Sequence, residues 1–166
     1  MNMELIQPFI NATDAVLAAI LQAPAEITEV SMDENAYRRQ GVAAVVNIRG
    51  EIEGRVIFDL DGETSKNMAS LLAADMADGS AEAVNETVCE LANQVVGNAV
   101  TTLNDAGFRF EIRPPEPFAA ELGLKSTEDS EAIVLCFATH AGKVFMNISI
   151  RFHWRRDQER HFAGVA

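Results

Sequence analysis

Cys89-Glu90-Leu91-Ala92-Asn93-Gln94-Val95-Val96-Gly97-Asn98 sits in the middle of a segment, Ala81 to Asp105, whose apolar residues recur at helical spacing. At about 100° per residue, Val84, Val88, Leu91, Val95, Ala99 and Thr102 fall on one side of the helix, an ordinary core stripe. Glu86, Glu90, Asn93 and Gly97 fall on the other. A generic solvated face mixes Lys, Glu and Gln, whereas this one aligns carboxylates, a carboxamide and a bare glycine. Gly97 in a helix interior costs roughly 1 kcal/mol relative to Ala. Close approach of another backbone over that face supplies a reason for it. Asn85 and Asn98 lie off the stripe, with Asn98 leaning toward the core.

Outward from this helix the chain reads as helices alternating with hairpins. Leu5, Ile6, Phe9, Ile10, Val16, Leu17 and Ile20 predict a first amphipathic helix that Pro24 closes. Ile27 to Val30 predicts a short strand. Gly41 to Ile48 and Ile52 to Leu60 are β-rich runs around Gly50, a hairpin signal, and Val56, Phe58 and Leu60 alternate with Ile57 and Asp59 as in a half-buried strand. Glu63-Thr64 offers a cap for a helix carrying Met68, Leu71, Leu72 and Met76, which Asp78-Gly79-Ser80 breaks. After the central helix, ended by Ala106-Gly107, come a strand over Phe108 to Ile112 and a loop at Pro114-Pro115-Glu116-Pro117. A second hairpin, Glu131 to Thr139 and Lys143 to Phe152, turns at His140-Ala141-Gly142. A long helix thus precedes a hairpin twice. The expected fold is α+β, a layered domain with a largely antiparallel sheet, long helices on one face and pseudo-repeated helix-hairpin halves. It forms a single domain over 1–154, followed by a charged, frayed tail over 155–166.

Composition narrows the function. The chain has 166 residues, 48% of them hydrophobic, and a formal net charge of −12. The acidic balance disfavours nucleic-acid binding, which needs a Lys/Arg footprint; the only dense basic cluster, Arg151, Arg155, Arg156 and Arg160, is interrupted by Asp157 and Glu159. The start lacks the pattern of a secretory signal, and no apolar run approaches the roughly 20 residues needed to cross a bilayer, so a cytoplasmic protein without a membrane partner is expected. Cys89 and Cys136 read as free thiols, and no metal-ligand spacing occurs. His140, His153 and His161 are too scattered for a triad or a metal site.

These residues resemble the CheC/CheX/FliY family of chemotaxis phosphatases, and the CheX group most closely. The resemblance rests on Glu90-Leu91-Ala92-Asn93 followed by Gly97, on the hairpin from Asn47 to Phe58 with its following Glu63-Thr64 helix, and on Pro114-Pro115 after a short strand. It spans about Met1 to Phe152. Glu-x-x-Asn alone is common; the ordered set is far more specific.

The resemblance implies dephosphorylation of an aspartyl phosphate on a CheY-like response-regulator receiver. Carried over, Asn93 orients a water for in-line attack on phosphorus and Glu90 pairs with the receiver's active-site lysine; on the same stripe, Glu86 reads as rim electrostatics or nothing, and Gly97 as the point where the partner comes close. A carboxamide suits the first task, because it accepts a hydrogen bond from water, keeps N–H groups to donate and carries no charge to repel phosphoryl oxygens. Residues three apart on a helix lie about 5 to 6 Å from each other. No cofactor is expected in this chain, and any Mg2+ belongs to the receiver. Some relatives carry a second Glu-x-x-Asn on the first helix; here Asn11-Ala12-Thr13-Asp14-Ala15-Val16 has none, so one site per chain is expected. Relatives of the CheX group dimerise through their sheets, and the long arms around Gly142 offer an edge for a homodimer. The competing expectations are a non-catalytic receiver-binding module of the same fold and an assembly domain related to flagellar switch components.

Overall fold

The computed structural model describes residues 2–32, 40–72, 80–117 and 132–153. In chain order the elements are α1 (Met3–Leu21), β1 (Glu26–Ser31), β2 (Val42–Gly50), β3 (Ile52–Leu60), α2 (Gly62–Leu72), α3 (Ala81–Asp105), β4 (Phe110–Ile112), β5 (Glu116–Pro117), β6 (Ile133–Thr139) and β7 (Gly142–Phe152). All strand pairs are antiparallel, in the order β1-β6-β7-β3-β2-β4, with β5 also against β2. Both hairpins form where the sequence places them, and Gly50 permits the first. Its φ is +137°, and a Cβ there would lie 2.7 Å from Phe110 Cα, so no side chain fits where β4 crosses.

The repeat is real in topology and tighter than the sequence implies. The two hairpins meet at β3 and β7, in register from Ile52 opposite Phe152 to Leu60 opposite Val144. Each half also lends a short strand to the other: β1, after α1, pairs with β6, and β4, after α3, pairs with β2. The helices lie over one face. Leu5, Phe9 and Leu17 of α1, Met68 of α2 and Leu91 and Val95 of α3 share one core with Val46, Val56, Phe58, Phe137, Met146 and Ile148 of the sheet.

Several local expectations change. The second hairpin does not supply a sheet edge, because β6 lies between β1 and β7 and β7 between β6 and β3; among the described residues the edge on that side is β1. The strand β3 is buried on both faces, since Ile57 and Asp59 are 1% and 2% exposed, and the Asp59 carboxylate accepts the N–H of Gln40 at 2.8 Å. Helix α1 covers the expected stretch, but it corrects the expectation that no apolar run approaches a bilayer's thickness: by length and composition alone it would suit a membrane crossing. One side of it is instead core, with Leu5, Ile6, Phe9 and Leu17 fully buried. The helical position of Met76, the break at Asp78-Gly79 and the tail from Arg155 fall outside the described residues.

The cap of α2 is Asp61, not Glu63-Thr64: its Oδ1 accepts the Thr64 N–H at 2.7 Å. Hydrogen bonds from Thr64 hold the Asp61 carboxyl below its ordinary pKa despite some desolvation. A depressed folded pKa contributes stability that is present above the unfolded value and lost as pH falls through the folded one. Asp61→Ala is therefore expected to cost about 1 kcal/mol at neutral pH, and this deficit should shrink as pH falls below about 4. Urea denaturation at pH 7 and pH 3 checks this; an equal deficit at both would contradict it.

Candidate functional site

Ser80 caps α3 by accepting the Ala83 N–H at 3.1 Å, and Gly107, at φ +93°, ends it. Phe108 then turns into the core beside Phe152, with ring centroids 5.6 Å apart. The helix is thereby fixed at both ends with Val84, Val88, Leu91, Ala92, Val95, Val96 and Ala99 buried beneath it. Glu86, Glu90, Asn93 and Gly97 all face outward in one line, so α3 brings together the four residues that the sequence singles out. Two neighbours differ from expectation. Thr102 and Asn98 are exposed, not core-facing, and with α1 they border a groove of about 330 Å³.

The local chemistry of the row is uneven. Glu90 Oε1 accepts a hydrogen bond from Gln94 Nε2 at 3.1 Å, which steadies the carboxylate one turn from its own backbone. Among the described residues the Asn93 carboxamide has no hydrogen-bond partner. A Cβ built on Gly97 meets nothing within 4 Å, so nothing inside the described fold requires glycine there. Cys89, half-buried beside this row, is a free thiol whose pKa is raised by burial and by the Glu86 carboxylate. Cys136 is free and fully buried. Among the described residues no group of three His, Cys, Asp or Glu side chains is placed to hold a metal ion.

Charge along α1 and α3 has one sign. Helices α1 and α3 contain no Lys or Arg, while Glu4, Asp14, Glu82, Glu86, Glu90 and Asp105 are all exposed. The neutral polar side chains of Asn93, Asn98 and Thr101, with bare Gly97 among them, interrupt that field along α3.

The pseudo-equivalent helix repeats the pattern in altered form. From Glu4 to Asn11 burial runs exposed, buried, buried, exposed, half-buried, buried, buried, exposed, the same order as from Glu90 to Gly97. The stretch matching the central motif is thus Glu4-Leu5-Ile6-Gln7, not Asn11 to Val16. Gln7 stands where α3 has Asn93, and Asn11 stands where α3 has Gly97. The Gln7 Nε2 is bonded to Asn11 Oδ1 at 2.8 Å, so this amide is held by its neighbour where Asn93 is not.

Comparison with known proteins gives one family. Residues 42–138 match the family described as chemotaxis phosphatase CheX. Among solved structures, the fold is similar to a chain of a CheX-CheY-BeF3-Mg+2 complex from Borrelia burgdorferi, with 33% identity, a TM-score of 0.70 and coverage of 88% of this chain and 97% of that one. It is also similar to chemotaxis protein CheX from Vibrio vulnificus, at 20% identity and a TM-score of 0.76 over 89% of this chain and 99% of that one. A CheC-like superfamily protein from Shewanella sp. PV-4 has 20% identity and a TM-score of 0.78, covering 91% and 99%. The last two likenesses show the fold alone. No curated protein matches.

Proposed function

The chain belongs to the CheX family of chemotaxis phosphatases, and from that premise we propose that it hydrolyses the aspartyl phosphate of a CheY-like receiver, with α3 laid over the receiver's active site. The observation that carries this reading is the exposed row on α3, in which an unpartnered carboxamide lies between a steadied carboxylate and an open glycine. Asn93 accepts a hydrogen bond from the attacking water and directs it in line at phosphorus. The water oxygen bonds to phosphorus as the bond to the aspartate oxygen breaks, releasing inorganic phosphate and the free carboxylate. Phosphoryl transfer of this loose kind gains chiefly from positioning. Glu90 meets the receiver's lysine, and Glu86 extends the negative rim on the same side. Any Mg2+ belongs to the receiver.

One site per chain is proposed, because on α1 the longer Gln7 amide is tied to Asn11. The reading places the protein in the cytoplasm, where receivers act. It also joins two copies through β1, which among the described residues pairs on one side only and leaves Val30 63% exposed.

The test is phosphate release from an acetyl-phosphate-labelled CheY-type receiver with the chain at a tenth of the receiver concentration. Release of many phosphates per chain supports the enzyme; binding without acceleration leaves a docking module. Gly97 gives a separate check. In the free chain Gly97→Ala is expected to stabilise α3 by about 1 kcal/mol, raising Tm by about 2 to 4 °C. Gly97→Leu should weaken receiver binding at least tenfold without unfolding the chain. Unchanged affinity in calorimetric titration would remove close approach as the reason for the glycine.

A further inference from the structure

Between α3 and α1 lies the groove of about 330 Å³ bordered by Gln7, Asn11, Ala12, Ala15, Asn98 and Thr102. Ala12 is buried and supplies apolar floor, while Ala15 is exposed. The groove holds no charged side chain, although the helices that form it expose only acidic charge around it. Its size is at the small end of ligand-sized clefts, and Asn98 on its border is the chain neighbour of Gly97, both of them exposed. Asn98 has no side-chain hydrogen bond among the described residues. Asn11 accepts from Gln7 at 2.8 Å, which fixes its amide and leaves its N–H groups to donate.

A carboxamide carries one acceptor and one donor group, the same complement as a peptide unit, so two amides across a short neutral groove fit the main chain of an extended segment. A carboxylate-lined groove would repel a segment adjoining a phosphoryl group; this one does not. We propose that the groove receives the main chain of the receiver loop that flanks its phosphorylated aspartate, with Asn98 and Asn11 as specificity-determining contacts. The proposal rests on the receiver-docking reading above. It adds binding residues on α1, a helix that contributes nothing to the chemistry.

The experiment compares Asn98→Ala, Ala15→Arg and the control Ala19→Arg, which places the same charge at an exposed position of α1 that does not border the groove. Steady-state hydrolysis of a phosphorylated CheY-type receiver gives kcat and KM, and titration with the beryllofluoride-loaded receiver gives Kd. Asn98→Ala and Ala15→Arg are expected to raise KM and Kd about tenfold with kcat within about twofold, and Ala19→Arg to change neither. If Ala15→Arg does not fold, Asn11→Ala combined with Asn98→Ala takes its place. Wild-type KM in the groove variants, an equal loss in Ala19→Arg, or a loss confined to kcat each overturns the proposal. A wild-type chain that turns over its receiver while the groove variants are unaffected sinks only the groove; one that neither binds nor hydrolyses any receiver sinks the functional reading and the groove with it.

Discussion

Asn93→Ala is expected to lower the maximal rate of receiver dephosphorylation by about a hundredfold or more, with receiver affinity within about twofold of wild type. The side chain is exposed and has no partner among the described residues, so truncating it leaves the free chain intact; stability should move by less than about 0.5 kcal/mol. On the proposed mechanism, what is lost is the hydrogen bond that fixes the attacking water. Holding a reactant in attack geometry is worth several kcal/mol, and a single positioned donor or acceptor carries about 10² to 10³ of that in rate. Asn93→Asp separates geometry from charge. It keeps the acceptor but sets a negative group against the phosphoryl oxygens, so it should fall with alanine and not with wild type. Steady-state kinetics with a labelled receiver, paired with beryllofluoride-receiver titration, reads both quantities. Loss of affinity in proportion to rate would show that Asn93 holds the partner and does not place the water.

The second large effect is expected at Glu90. Its carboxylate is exposed and steadied by Gln94 at 3.1 Å, in a helix with no basic residue. In the free chain it therefore contributes little stability, as exposed charges generally do. On the proposed reading it becomes, in the complex, a covered charge facing a lysine, where removing one partner leaves the other desolvated and unpaired. Glu90→Lys replaces attraction by repulsion and should weaken receiver binding about a hundredfold, about 2.7 kcal/mol. Glu90→Gln should fall between, and added salt should narrow the gap between Glu90→Gln and wild type. Surface plasmon resonance at two ionic strengths measures this. An unchanged affinity for Glu90→Lys would remove the lysine partner from the mechanism.

What the sequence makes legible depends on how local each signal is. The row Glu86, Glu90, Asn93 and Gly97 follows from helical period alone, and all four are exposed where period places them. The hairpin at Gly50 is legible because one glycine marks both the turn and the crossing of β4. The stripe fails at its edges: Thr102 and Asn98 depend on where α1 packs against α3, which no residue of α3 encodes. The exchange of β1 and β4 between the halves is hidden for the same reason, since a strand of three to six residues does not name its partner. The expectation that the Gly142 hairpin forms an edge fails with it, because β1 covers β6. The degenerate motif on α1 carried a readable signal. Glu4-x-x-Gln7 is one methylene from Glu-x-x-Asn, but only the matching burial of the two helices aligns them.

The enzyme reading differs from the docking-module reading in the fate of one bound phosphoryl group. The most direct measurement is therefore the lifetime of the aspartyl phosphate in a labelled receiver saturated with wild-type chain, compared with the same receiver alone, by rapid quench. The expected result is a lifetime at least about a hundredfold shorter in the complex. An unchanged lifetime in a receiver shown to be fully bound would contradict the account and make α3 a recognition helix without catalysis.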